Sequence, residues 1–153
     1  MGAADRCVRD TVVGSGLRHE SLLGRPEEFP MQYAILCYHR EAEVCAWSKE
    51  KDAQVMADLS KVQRKLAAQG RLGPVARLMP TSAATTLRKD RDPPLVLDGP
   101  FAETKEQLLG FYVIDCENLD AALEAAKELG AANPGGSYEI RPLRSFRIGA
   151  PPE

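Results

Sequence analysis

The chain predicts an α+β fold: two helices on one face of an antiparallel sheet, in the order βαββαβ, with a β-hairpin inserted after the second of those strands. Three observations predict it. Two segments repeat apolar residues at helical spacing, each opened by a capping side chain and followed by a glycine. Short apolar runs bounded by Gly, Pro and charged turns lie before, between and after them. Setting aside one hairpin-like pair of runs leaves strand–helix–strand twice over, the ferredoxin-like arrangement.

Residues 1–30 mix Arg6, Arg9, Arg18 and Arg25 with Asp5, Asp10, Glu20, Glu27 and Glu28, and no period holds. They are expected to form a flexible extension outside the domain. Val12-Val13 is too short for the apolar core of a secretory signal, and the acids argue against an organellar transit peptide. A strand begins directly at Met31, so Met31 is expected to be the functional start; a genuine disordered tail is the alternative. A leader that resists limited proteolysis before Met31 would count against the first of these.

Met31 to Tyr38, MQYAILCY, is the first strand, apolar nearly throughout. Ser48 is an N-cap with Glu50 in the first turn, and Val55, Leu59, Val62 and Leu66 recur behind it with Met56 alongside. Gln54, Asp58, Lys61 and Lys65 occupy the opposite face, and Gly70 ends the helix. Trp47, ahead of the cap, is expected to staple the helix start to the core; a ligand platform is the other use of such a ring. Val75 to Leu78 is a weak strand stopped by Pro80. Thr85 to Arg88 and Leu95 to Leu97 form the inserted hairpin, joined by Lys89-Asp90-Arg91-Asp92-Pro93-Pro94. Thr104 to Gln107 fits a capping box opening one helical turn. Leu108 to Ile114 gives the strongest strand signal. Asn118 caps a second helix carrying Leu119, Ala122, Leu123, Ala126 and Leu129 on one face, stopped by Gly130. After the Asn133-Pro134-Gly135-Gly136 loop, Ser137 to Leu143 alternates as the last strand. The domain is thus expected over 31–146, with 147–153 as a tail.

A net charge of −2, with no segment concentrating Lys and Arg without matching acids, argues against a nucleic-acid-binding surface. No apolar run approaches the ~20 residues that span a bilayer. The four cysteines show no Cys-x-x-Cys spacing, and with no secretory signal they are expected as reduced thiols in a cytoplasm. His19 and His39 are the only histidines, so a metal site is not expected. No nucleophile elbow, P-loop or dinucleotide fingerprint is present. Any chemistry would be proton transfer on, or cleavage of, a small polar molecule, without a tightly bound cofactor.

Two helices cover only one sheet face, yet Ala34-Ile35-Leu36-Cys37 and Phe111-Tyr112-Val113-Ile114 are apolar at consecutive positions. Strands open to water on one side usually alternate. A bare second face would exceed what soluble monomers tolerate, which predicts a homodimer joined sheet to sheet. The competing arrangement folds the insertion over its own sheet.

The most specific stretch is Asp98-Gly99-Pro100-Phe101-Ala102-Glu103-Thr104-Lys105-Glu106-Gln107, followed by Gly110-Phe111-Tyr112 and Asp115. It resembles the signature of the YCII-related proteins of the DGPF type. MQYAILCY, Thr81-Ser82-Ala83-Ala84-Thr85-Thr86 and Glu139-Ile140-Arg141-Pro142 extend the resemblance from about Met31 to Phe146. The resemblance implies a dimeric α+β barrel, in which two ferredoxin-like sheets face each other. It also implies a possible link to extracytoplasmic-function sigma factors, and, for the wider group, activity from a His–Asp pair in a cleft. Here the only histidine of the domain is His39, and Leu109 stands where the family often has a second glycine before Phe111.

Asp98 and His39 are the candidate catalytic residues; Tyr38, Phe101 and Arg141 are the candidate ligand contacts. Asp98, at the end of a strand expected to be buried, is either a general base with a desolvated carboxylate or an Asx-turn acceptor. His39 and Tyr38 at the first strand's exit are polar lining for a pocket, His39 being either an acid–base group or a structural histidine. Arg141 shares a face with Glu139 and either binds an anionic group or pairs with an acid across the sheet. Two functions follow. One is a cofactor-free homodimer binding a small polar organic ligand between its sheets, with acid–base catalysis by Asp98; the other is a non-catalytic accessory or sensor module.

Overall fold

A computed structural model describes residues 31–149. The expectations for residues 1–30, the extension and the alternative start, lie outside the described residues. Six strands and three helices follow in order: β1 Met31–His39, α1 Glu41–Cys45, α2 Lys49–Ala68, β2 Leu72–Arg77, β3 Thr85–Arg88, β4 Leu95–Asp98, β5 Gln107–Cys116, α3 Leu119–Ala132 and β6 Ser137–Pro142. A single 3-10 turn, Thr81–Ala83, precedes β3. The main sheet runs β2-β5-β1-β6, antiparallel throughout, and β3-β4 pair as a separate hairpin. This is the ferredoxin-like α+β fold, with the hairpin inserted where the sequence predicts it.

Both long helices begin at the predicted caps. Ser48 Oγ accepts from the Lys51 amide at 3.1 Å, and Asn118 Oδ1 from the Ala121 amide at 2.9 Å. At the end of α2 the Arg71 and Gly70 amides donate to the Leu66 and Ala67 carbonyls at 2.9 Å each, closing the helix on Gly70. The second helix differs from its predicted stop. It passes through Gly130 to Ala132 and ends at Asn133, whose extended backbone is what the following Pro134 requires. Glycine inside a helix costs only about 1 kcal/mol, less than packing returns here.

One face of the sheet meets α2 and α3. Ile35 and Ile114 from the two central strands, Leu66 from α2 and Leu129 from α3 are fully buried in a single core. Each such burial contributes roughly 1.5–3 kcal/mol. Register follows the pleat: Ile35 lies opposite Tyr112 and Ile140, all on the helix side. The intervening residues Ala34, Leu36, Phe111 and Val113 face away from the helices, so both sides of the central strands carry apolar groups, as the consecutive runs predict.

Two local expectations are corrected and one element is new. Thr104–Gln107 forms no helical turn; Thr104 Oγ1 donates to the Glu106 carbonyl and Gln107 Nε2 to the Thr104 carbonyl, and β5 starts at Gln107. Side-chain bonds to nearby backbone compete with helix at such sites. The strand ending at Asp98 is not buried: β4 is exposed along its whole length, because the hairpin stands away from the main sheet. Finally, α1 was not foreseen. It is too short for periodicity to reveal, and it is fastened by tertiary bonds: both Glu41 carboxylate oxygens accept from Thr81, at 2.9 Å from its amide and 2.7 Å from its hydroxyl.

Candidate functional site

A cavity of about 570 Å3 opens where α1 and the start of α2 meet the adjoining ends of β1, β2 and β5. Its walls come from the elements just described. Met56, Leu59, Ser60 and Gln63 project from α2; Cys37, Tyr38 and His39 end β1; Leu109 to Tyr112 belong to β5; Val75 to Arg77 close β2. A break in register between Cys37 and Tyr38 leaves Leu109 without a partner on β1. This bulge puts Leu109 into the cavity wall while its carbonyl accepts from the Leu78 amide at 2.9 Å. The leucine at the position where the resemblance leads one to expect glycine is therefore a wall residue.

Most of the walls are apolar, with polar groups gathered at the floor and rim. Tyr112 is hydrogen-bonded by Gln63, and burial, its largest influence, raises the phenol above the ordinary tyrosine range. Off the cavity, behind its lining residue Asn133, burial likewise raises Tyr138, whose hydroxyl accepts from Asn133 Nδ2 at 2.9 Å. Both phenols are therefore proton donors at neutral pH. Burial pushes the Cys37 thiol up to about 12, against the opposing hydrogen bond to Tyr138. Cys37 is thus no nucleophile. Cys45, on the same cavity, is the exposed thiol among the described cysteines. In a Cys7→Ser background, iodoacetamide at pH 8 is expected to label Cys45 and to leave Cys37 unmodified over the same hours; peptide mass mapping checks this.

At the rim, Arg77 forks the Asp52 carboxylate, NH2 to Oδ1 at 2.6 Å and NH1 to Oδ2 at 3.2 Å. That hydrogen bond holds Asp52 below the ordinary carboxylate range. A carboxylate lowered in the folded state stabilises it above the unfolded pKa of about 4, and the contribution fades as pH falls further. The pair is half exposed, so the contribution is at most about 1 kcal/mol. Asp52→Asn is expected to cost that much at pH 7 and less as the pH falls to 2.5 in urea unfolding. An equal cost at both would assign the loss to packing.

The five candidates separate. Tyr38 and His39 line the cavity. His39 is only 8 % exposed, and each ring nitrogen faces a backbone carbonyl, Nε2 that of Pro134 at 3.1 Å and Nδ1 that of Arg40 at 3.3 Å. Trp47 meets the ring edge-on at 6.0 Å between centroids. Glu43 Oε2 also lies 4.0 Å from Nδ1, so the ring sits between two carbonyls with a carboxylate beside it. Asp98 is exposed at the end of β4, followed by Gly99 at a φ of 95°. Phe101 is exposed on the adjoining loop, where its carbonyl accepts from Arg88 at 3.0 Å. Neither lies on the cavity. Arg141 stands opposite Ala34 on the face away from the helices, and its acid is Glu139 of the same strand, at 3.3 Å, rather than a cross-strand one. Within one protomer, Asp98, His39 and Arg141 are therefore not one constellation.

Sequence reasoning missed the polar groups on α2. Met56, Ser60 and Gln63 are spaced i, i+4 and i+7 beside the apolar stripe, and an uncharged polar pair on that line was the available signal. Trp47 packs on the core, as the staple role requires; Lys51 Nζ lies 4.8 Å from its ring centroid, and the ring also lines the cavity. The Asp98–Gln107 stretch instead borders a separate hollow of about 400 Å3 with Thr81 and Ser82.

Among the described residues, no helix is long and apolar enough to cross a membrane. Compared with known proteins, residues 31–147 match the YCII-related domain. An uncharacterized protein of Rhizobium meliloti (strain 1021) is 60% identical over 123 residues, covering 80% of this chain and 99% of that protein.

Proposed function

The chain belongs to the YCII-related family, and from that premise we propose that it binds a small organic molecule in the cavity between α2 and the ends of β1, β2 and β5. The carrying observation is the buried Tyr112 phenol, with the half-buried Gln63 also on the lining, in a largely apolar chamber. Such a chamber selects a ligand that is apolar over most of its surface and carries one hydrogen-bonding group. This revises the more polar ligand and the inter-sheet cleft expected from sequence. The volume falls within the range of about 300–1,000 Å3 typical of small-molecule sites. Binding comes first in this reading and catalysis second, because acid–base chemistry at Asp98 would need a ligand or a second subunit to bring it a partner.

The reading includes a homodimer joined across the open face of Ala34, Leu36 and Phe111, where the Arg141–Glu139 pair also lies. The free thiols of Cys37, Cys45 and Cys116 suit a reducing cytoplasm. The second reading is a non-catalytic accessory or sensor module of the DGPF type, tied to sigma-factor-linked transcription. It is favoured by the separation of the three residues expected to do chemistry.

A thermal-shift screen of small amphipathic acids, amides and phenols tests the proposal. At a hundredfold excess over Kd a true ligand stabilises by about 2.7 kcal/mol. Tyr112→Phe is expected to weaken that ligand about tenfold, the worth of one hydrogen bond. A ligand whose affinity ignores both Tyr112→Phe and Gln63→Leu does not occupy this cavity.

A further inference from the structure

His39 is buried, and three acceptors stand about its ring: the Pro134 carbonyl 3.1 Å from Nε2, the Arg40 carbonyl 3.3 Å from Nδ1, and the Glu43 carboxylate 4.0 Å from Nδ1. A neutral imidazole has one N–H and one lone pair, so it satisfies one side and turns a lone pair toward an acceptor on the other. An imidazolium has an N–H for each. The two sides belong to different parts of the fold. Arg40 is the N-cap of α1, and its carbonyl also takes the Glu43 and Val44 amides of that helix at 3.0 and 3.2 Å. Pro134 belongs to the loop between α3 and β6. Gly135 and Gly136 of that loop lie so close that a Cβ would come within 2.5 Å of Nε2 or 3.0 Å of Cδ2. Glu41, Val44 and Cys45 of α1 and Asn133 of the loop line the cavity, as His39 does.

We propose that His39 is a proton-operated clasp on the cavity wall. With both nitrogens protonated it fastens α1 and the α3–β6 loop to the end of β1; when one proton leaves, α1 is loosened. The proton that leaves is the one on Nδ1, whose bond is the longer and whose neighbour Glu43 is open to water, while Nε2 is packed against the two glycines. Helix α1 buries no residue of its own, so it then depends on Glu41, tied to Thr81 and Gln107. Of the other charged groups on the elements about the ring, Arg40 pairs with Glu43 at 3.5 Å, and Lys51 stands over the Trp47 ring that also meets His39. Asn133 to Gly136 of the loop, and Gln107 opposite His39 in the sheet, carry no charge. Histidine ordinarily changes charge within about pH 5–8, and the clasp works in that interval. Its control of the cavity rests on the ligand-binding reading; the clasp itself does not.

The full chain with His19→Gln keeps His39 as its only histidine. Ring-nitrogen NMR is expected to show two N–H groups at pH 6 and one, on Nε2, at pH 8.5. Hydrogen exchange of the Glu43 and Val44 amides, corrected for base catalysis, is expected to rise about tenfold over the same interval, the worth of one bond from a charged donor. In His39→Gln that rise is absent; where this variant fails to fold, the NMR and exchange of the histidine protein decide. A ring neutral at both pH values, one that keeps its last proton on Nδ1, or amide protection flat with pH overturns the clasp. The dye N-phenyl-1-naphthylamine, uncharged across this range, probes the cavity. Binding that Ser60→Phe removes is expected to dissociate about tenfold faster at pH 8.5 than at pH 6, in proportion to the opening of α1. Release that ignores pH overturns control of the cavity alone. Dye binding indifferent to Ser60→Phe counts against the ligand-binding reading and that control with it, while the NMR result still decides the clasp.

Discussion

Gly136→Ala is expected to lower the melting temperature by about 10 °C, the equivalent of roughly 3 kcal/mol in a domain of this size. Two effects add. Gly136 holds a φ of 74°, which costs an L-residue about 1–2 kcal/mol. A Cβ there would also overlap the Tyr38 carbonyl oxygen and come within 3.0 Å of His39 Cδ2. The Tyr38 carbonyl is fixed by the sheet, so the loop must move, and with it the Pro134 carbonyl that holds His39 Nε2. Gly70→Ala is the control. Its φ is 68°, but nothing lies within 4 Å of the added carbon, so it should show the backbone cost alone. Equal losses in the two variants would mean that the loop does not clasp His39 as tightly as the structure describes. His39 itself then reads as the clasp's other half: it ties the end of β1 to the α3–β6 loop and keeps one wall of the cavity in place.

Ser60→Phe is expected to abolish ligand-induced stabilisation, weakening binding by more than a hundredfold, or about 3 kcal/mol. Ser60 is half-buried on the cavity side of α2, and its hydroxyl bonds back to the Met56 carbonyl at 2.7 Å. Serine and phenylalanine differ little in helix propensity, so the ring's main effect is to occupy the space a ligand needs. Thermal unfolding without ligand should move by no more than a few degrees, and filling a void can even raise it. Calorimetric titration with any ligand found for the wild type measures the loss. Binding that persists in Ser60→Phe would place the ligand elsewhere, with the hollow beside Thr81, Ser82 and Glu103 the next candidate.

The scaffold was legible because it rests on local rules that one sequence carries intact. Ser48 and Asn118 cap their helices through their own side chains, and the apolar stripes at Leu59, Leu66, Ala122 and Leu129 need no distant partner to be recognised. The two-sided apolarity of β1 and β5 was readable for the same reason, since residues two apart share a face. The hairpin's two strands were readable too; its stance away from the sheet was not, and so Asp98 was taken for the end of a buried strand. Nothing local tells whether a hairpin lies down on a sheet or stands clear of it.

From the sequence alone came the βαββαβ order, the inserted hairpin and the membership of Tyr38 and His39 in the neighbourhood of a pocket, because periodicity, caps and strand ends are short-range properties of the backbone. Only the tertiary structure decided that His39 sits between the Pro134 and Arg40 carbonyls, that Gln63 and Tyr112 line one cavity, and that Asp98 and Arg141 lie apart from it. Those pairings join residues up to 95 positions apart, and they arise from how layers pack, which no single segment records.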